Sequence, residues 1–280
     1  MQVFTKIKEL HSALTALKSK GKTIGFVPTM GALHKGHISL INYSKQQCDV
    51  TVCSIFVNPT QFNNPDDLDK YPKTPKNDTL LLEEAGCDFL YIPSVEDIYP
   101  EKNNRTFSFG FLDTVLEGEL RPGHFNGVGQ VVSILLEGIE PNKAFFGSKD
   151  YQQVMVVKEL VKQLNIPVDI ISCPILRESD GLAMSSRNIR LNEQERIIAS
   201  LVPKIMLKAS EIVKTQGIIT SKQFVEEITS KITNMKLDYF EVCNSSSLKK
   251  IDLYKTSSPT ILLIAVFVGK TRLIDNLIIE

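Results

Sequence analysis

Val50-Thr-Val-Cys-Ser-Ile-Phe-Val57 decides the fold. Eight residues, mostly β-branched or aromatic and without polar alternation, spell a strand covered on both faces, the habit of parallel sheets. On its amino side Thr23-Ile-Gly-Phe-Val-Pro28 reads as another short buried strand, and His37–Lys45 between them as a helix. Lys6–Lys20 has apolar residues at Ile7, Leu10, Leu14 and Leu17, a helical spacing closed by Gly21. On the carboxyl side Asn58–Pro65 is loop by its proline and asparagine content, Asp78–Ala85 is helical up to Gly86, and Phe89–Ile92 is a strand.

The first hundred residues therefore alternate α-β-α-β-α-β, which implies a parallel sheet with helices on both faces, a doubly wound Rossmann-like α/β domain. The pattern continues through a helix near Val128–Gly138, a strand at Lys143–Phe146, a helix at Tyr151–Leu164 and a strand at Val168–Ile171. After Arg190 the character changes. Glu193–Thr215 and Ser221–Asn234 read as amphipathic helices, and Leu237–Val242, Ile261–Val268 and Thr271–Ile278 as strands with no crossover helix between the last two. A smaller antiparallel α+β domain is expected there, giving domains 1–176 and 177–280.

The 280 residues are 42% apolar and carry 32 basic against 32 acidic side chains. That apolar share excludes disorder as the main state, and zero net charge argues against general nucleic-acid binding. The best apolar run, Thr260–Val268, is far shorter than the roughly 20 residues of a membrane helix. The amino-terminal residues lack the apolar core of a signal peptide. Five cysteines, at 48, 53, 87, 173 and 243, form no Cys-x-x-Cys and read as free thiols of a reducing cytoplasm.

Three of the four histidines lie within two residues of a glycine at loops or their edges. Pro28-Thr-Met30-Gly31-Ala32-Leu33-His34-Lys35-Gly36-His37 links a strand to a helix, where backbone N–H groups attract anions. His34 and His37, three apart, share a face. The element binds nucleotide phosphate, or is a glycine-rich turn with two surface histidines; a metal pair lacks a third ligand nearby. Gly147-Ser148-Lys149-Asp150 again joins strand to helix, with Lys149 a point charge for phosphate and Asp150 either functional or a helix cap. Met184-Ser185-Ser186-Arg187 is an oxyanion-binding or merely solvated loop. Asn58 and Gln61, beyond the second strand, either hydrogen-bond a small hydroxy acid or are turn residues. Arg121-Pro-Gly-His124-Phe-Asn126-Gly127 is a mobile lid or a tight loop.

The combination Pro-Thr-Met-Gly-Ala-Leu-His-x-Gly-His, Phe-Val-Asn-Pro-x-Gln-Phe, Arg-Pro-Gly-His-Phe, Lys-Asp-Tyr-Gln-Gln and Met-Ser-Ser-Arg-Asn, in this order from residue 28 to 188, closely resembles the pantoate–β-alanine ligase (pantothenate synthetase) family. The resemblance implies an ATP- and Mg²⁺-dependent enzyme, cytoplasmic and homodimeric, that makes pantoyl adenylate and pyrophosphate and then pantothenate and AMP by attack of β-alanine. It implies an ATP site of Met30–His37, Gly147, Ser148, Lys149, Asp150 at the ribose, Leu176 at the adenine, and Met184–Arg187 over the triphosphate. His34, His37, Lys149 and Arg187 would be catalytic, and Gln61, Gln153 and Asn58 would hold pantoate. No nucleic acid or membrane partner is implied.

Asn126, Ser148 and Gly129-Gln130 depart from the family's commoner Arg, Glu and Ala-Thr. Asp78 reads either as a neighbour of Mg²⁺ or as a helix N-terminal acid. A carboxylate attacking phosphorus needs no general base, so His37 is assigned to hydrogen bonding and proton donation in the transition state. Other readings are a nucleotidyltransferase that stops at the nucleotidyl product, and a non-catalytic ATP sensor.

Overall fold

The computed structural model describes residues 1–101 and 105–279. The chain separates into two compact units, Met1–Pro174 and Ile175–Glu280.

The first unit holds six strands: β1 (Gln2–Phe4), β2 (Ile24–Thr29), β3 (Val50–Ile55), β4 (Phe89–Tyr91), β5 (Lys143–Gly147) and β6 (Asp169–Cys173). They lie in the order β1-β4-β3-β2-β5-β6, and every pairing is parallel. The chain runs outward from β2 through β3 to β4, then returns to place β5 on the other side of β2. The strand order therefore reverses between β2 and β5, and ligands of doubly wound sheets bind beyond the carboxyl ends at such a point. Val27, Cys53, Leu90 and Phe145 from four of these strands are buried with Leu33, Leu40, Ile41 and Leu82, tying the helices Lys35–Gln47 and Pro75–Glu84 to the sheet. β2 and the helix Lys35–Gln47 approach so closely at Gly25 that a Cβ there would lie 2.2 Å from Ser44 Oγ.

The second unit is an antiparallel sheet of β7 (Met235–Asn244), β8 (Thr260–Val268) and β9 (Thr271–Ile279), with β8 central. The helices Leu201–Gln216 and Ile218–Lys231 bury Val202, Met206, Ala209, Val213 and Val225 with Phe240, Val242, Leu262, Ile264 and Val266 of the sheet.

Three sequence expectations are corrected. Glu193–Thr215 is two helices, Glu193–Ala199 and Leu201–Gln216. Pro203 has no N–H to donate to the Ala199 carbonyl, and the chain breaks at Ser200. The helix expected from Asp78 begins at Pro75, three residues earlier, with proline pre-set for its first turn. The helix expected near Val128–Gly138 spans His124–Ile139, so His124-Phe-Asn-Gly127 is its first turn and the expected loop ends at Gly123. No helix among the described residues is long and apolar enough to cross a membrane. All five cysteines are free. Burial pushes the Cys87 thiol up to about 12 and those of Cys173 and Cys243 to about 11.

Candidate active site

β2, β3 and β5 are neighbours, so three of the quoted motifs leave the sheet at one edge: Met30–His37 after β2, Asn58–Gln61 after β3, and Ser148–Gln153 after β5.

The first loop is anchored from within. Asp78, only 1% exposed, accepts the Ala32 N–H on Oδ2 (3.0 Å) and the Leu33 N–H on Oδ1 (2.8 Å). Thr74 Oγ1 donates to the same Oδ1 at 2.9 Å. Asp78 is the acid in the first turn of the helix Pro75–Glu84, one of its two readings, and its carboxylate is turned to the loop after β2. The Gly31 N–H donates to Thr29 Oγ1 at 3.2 Å. The Leu33 side chain is buried in the core.

The two imidazoles form a reciprocal cap at the helix Lys35–Gln47. His34 Nδ1 accepts the Gly36 N–H (3.1 Å), and His37 Nδ1 accepts the His34 N–H (3.3 Å). Their ring centroids are 4.1 Å apart. A nitrogen that accepts carries no proton, so each neutral ring bears its hydrogen on Nε2. Loss of solvent around the ring, then the neighbouring His34 and the Lys149 ammonium, push His37 down to about 3. At neutral pH the His37 ring of the free chain is therefore uncharged and offers an N–H dipole, not an imidazolium. The N–H groups of Gly31, Ala32, Leu33, His34, Gly36 and His37 all find partners within the protein. Lys35, between the two histidines, is exposed.

After β5, Lys149 is half-buried and Asp150 exposed. Asp150 occupies the N-cap position of Tyr151–Leu164, yet its side chain makes no capping bond. A Cβ at Gly147 would meet no described atom within 4 Å, so the chain faces open space there. Gln153 is half-buried in the first helical turn.

The turn after β3 is held by the helix His124–Ile139. Gly127 lets the two backbones touch: a Cβ there would lie 2.4 Å from the Thr60 carbonyl oxygen. His124 Nδ1 is 2.8 Å from the Gln61 carbonyl oxygen, and burial, followed by the Arg121 charge, pushes His124 down to about 4. Asn58 is buried. Its Nδ2 donates to the Gly127 carbonyl (3.0 Å) and to Gln61 Oε1 (3.2 Å), while its Oδ1 accepts from Tyr99 Oη (2.8 Å). The expectation that Asn58 holds a ligand is thus corrected: its amide is spent inside the protein and steadies Gln61. Gln61 itself is half-buried, with Nε2 3.3 Å from Met30 Sδ.

Three residues that depart from the motif pattern act away from this edge or leave it unchanged. Asn126 Oδ1 accepts the Phe107 N–H (2.8 Å) and Gln130 Nε2 donates to the Arg105 carbonyl (2.7 Å). Gly129 leaves room for the Phe107 ring, 2.9 Å from where a Cβ would sit. Tyr99 and the buried Gln152, which bonds to the Leu112 and Val115 carbonyls and the Glu117 N–H, carried no sequence signal of a supporting role.

In the second unit Leu176 is exposed, and its carbonyl accepts the Met184 N–H at 3.0 Å. Ser185 Oγ accepts the Arg187 N–H (3.3 Å), turning the chain so that Ser186 and Arg187 are half-buried. Asn188 braces this loop through Glu178 (2.8 Å) and the Ala183 carbonyl (3.1 Å). Among the described residues no cluster of three histidine, cysteine or acidic side chains could hold a metal ion.

A family model described as pantoate-beta-alanine ligase matches residues 2–278. A pantothenate synthetase of Bacteroides fragilis is 46% identical over 277 residues, 99% of this chain and 98% of its own. That of Phocaeicola vulgatus is 48% identical over 278 residues, 99% of each. Among solved structures, the pantothenate synthetase of Thermus thermophilus has a TM-score of 0.92 at 36% identity over 99% of both chains. The Francisella tularensis pantoate-beta-alanine ligase, complexed with beta-gamma ATP and beta-alanine, has a TM-score of 0.82 at 41% identity, covering 99% of this chain and 97% of its own.

Proposed function

Since the chain belongs to the pantoate-beta-alanine ligase family, we propose that it joins pantoate to β-alanine in two steps at the carboxyl edge of the six-stranded sheet. The observation that carries this reading is the meeting of three motif loops after β2, β3 and β5 at one edge of the sheet, with the His34 and His37 imidazoles paired at the opening of the helix Lys35–Gln47.

In the first step a pantoate carboxylate oxygen attacks the α-phosphorus of ATP. The bond to the bridging oxygen breaks, and pyrophosphate leaves with the electron pair. The carboxylate is already a nucleophile, so catalysis is positioning and stabilisation of phosphate charge. His34 and His37 donate Nε2–H to phosphate oxygens. Fixed dipoles of this kind need no reorganisation as charge shifts, and losing one costs roughly 10²–10³ in rate. Lys149 supplies positive charge. Asp150 takes the ribose hydroxyls, an acceptor left without a capping duty. Gln61, steadied by Asn58 and His124, and Gln153 bind pantoate. Leu176, Met184, Ser185, Ser186 and Arg187 are assigned to the nucleotide by motif.

The described residues do not form a cage for Mg²⁺. An ion that travels with ATP takes its ligands from phosphate and water, as magnesium commonly does.

In the second step the neutral amine of β-alanine attacks the acyl carbon of the mixed anhydride. The bond to the AMP oxygen breaks, AMP departs, and the amine loses its proton to solvent or phosphate. The same reading carries a cytoplasmic homodimer.

Order of addition tests the two steps. With ATP, Mg²⁺ and pantoate alone, pyrophosphate is released in an amount near one per site, and AMP follows only after β-alanine. Release of a free nucleotidyl product without amine would make the chain a simple nucleotidyltransferase. Binding of ATP with no pyrophosphate would make it a sensor.

A further inference from the structure

The loop after β2 turns through two left-handed residues, Gly31 at φ +81° and Ala32 at φ +49°. Alanine rarely takes that conformation unassisted. Consecutive N–H groups turned to one side make a concavity suited to an anion. Here the Ala32 and Leu33 N–H groups converge on the carboxylate of Asp78, with Thr74 adding a hydroxyl. The fit is close on both sides of Gly31, where a Cβ would lie 3.1 Å from Ile55 Cγ2 and 3.2 Å from Asp78 Oδ2. A buried carboxylate without such donors would be strongly disfavoured, so Asp78 and this loop shape select each other. The next residue along is His34, whose ring and main chain set the His37 ring through the reciprocal cap.

We propose that Asp78 is a positioning residue: an internal anion that fills the concavity a phosphate would otherwise take, locks Ala32 and Leu33, and so aims both imidazoles. Its consequence is that the Ala32 and Leu33 N–H groups are spent inside the protein, and the loop meets the nucleotide through the imidazoles that follow them. The inference rests on the reading that His34 and His37 face ATP, but its test does not depend on turnover.

Asp78→Asn keeps the shape and turns an amide NH₂ toward a backbone N–H. Long-range ¹H–¹⁵N spectra of the ligand-free protein report the imidazoles directly. In wild type both rings show the Nε2–H tautomer and His37 resists protonation to about 3. In Asp78→Asn the tautomers mix and the His34 and His37 ring signals shift, because the loop that sets the reciprocal cap is no longer held. In steady state, kcat/KM for ATP falls on the order of 10- to 100-fold, by analogy with removing a group that orients a metal ligand. The KM for pantoate changes less than about threefold, and the Mg²⁺ activation constant stays put. Imidazole signals that do not move overturn the proposal whatever the activity does. So does a Mg²⁺ constant that shifts in step with the lost activity, which would make Asp78 a cation ligand. Should Asp78→Asn fail to fold, Thr74→Val removes one donor to the same oxygen, and the same spectra decide, with smaller shifts expected. A wild type that does not adenylate pantoate would sink the functional reading and leave the spectral result standing.

Discussion

Replacing Gly127 by alanine puts one methyl group into a seam that has no room for it. The added carbon would lie 2.4 Å from the Thr60 carbonyl oxygen, 2.6 Å from its carbon and 2.8 Å from the Gln61 nitrogen. All three are main-chain atoms, so no rotamer change relieves the clash. Ordinary contact begins near 3.4 Å, and the start of the helix His124–Ile139 must part from the turn by about 1 Å. Two bonds cross that seam, Asn58 to the Gly127 carbonyl at 3.0 Å and His124 to the Gln61 carbonyl at 2.8 Å. Stretched by about 1 Å, neither remains a hydrogen bond. Overpacking costs about 1–3 kcal/mol and each bond about 1 kcal/mol. The better helix propensity of alanine returns up to about 1 kcal/mol, so the net loss is about 2–4 kcal/mol. Denaturant unfolding of wild type and Gly127→Ala measures it. Gln61 moves with the turn, and a misplacement of about 1 Å is worth roughly 10²-fold in a bound geometry. The KM for pantoate should therefore rise 10- to 100-fold while that for ATP stays within about threefold. Unchanged stability with an unchanged pantoate KM would refute the claim that this seam positions Gln61.

Gln61→Ala itself should raise the KM for pantoate far more than that for ATP; equal effects on both would remove Gln61 from the acid's site. Acid should also destabilise the fold through its histidines. His37 and His124 are held near 3 and 4, against about 6.5 when unfolded. Between those values the unfolded chain binds more protons, so the stability is full above pH 6.5 and drains as pH falls toward 4. Two such groups give a slope of up to about 2.7 kcal/mol per pH unit around pH 5–6. Urea unfolding at pH 5, 6 and 7 reads the slope, and His124→Gln should roughly halve it. Stability that is flat across this range would show that the rings are solvated.

The helices and sheet were legible where a local pattern is long. Val50–Val57 names a doubly covered strand because its apolar run has no polar break, and Tyr151–Leu164 is the helix that its spacing predicts. The three residues of β1 are too few to carry a period, and their strand exists only because β4 offers an edge. The start of the helix at His124 was hidden by Arg121-Pro-Gly123, which reads as loop until Gly123 is seen turning left-handed at φ +80°.

At the site, the motifs name His34, His37, Gln61 and Lys149, but not what holds them. Asp78 lies 44 residues from His34 along the chain, and its role depends on the helix Pro75–Glu84 packing under the loop. Asn58 looks like a ligand residue in sequence because asparagine in a loop is usually exposed; only the approach of Gly127 and Tyr99 buries it. The uncharged state of His37 is illegible for the same reason, since burial is a property of the folded loop and not of the tripeptide around it.

Pyrophosphate exchange into ATP, measured with pantoate and without β-alanine, bears most directly on the two imidazoles. Wild type should exchange label, and His37→Ala should exchange it roughly 10²–10³ more slowly while staying folded, its stability lowered by about 1 kcal/mol for the lost cap bond. Exchange at the wild-type rate in a folded His37→Ala chain would contradict the account.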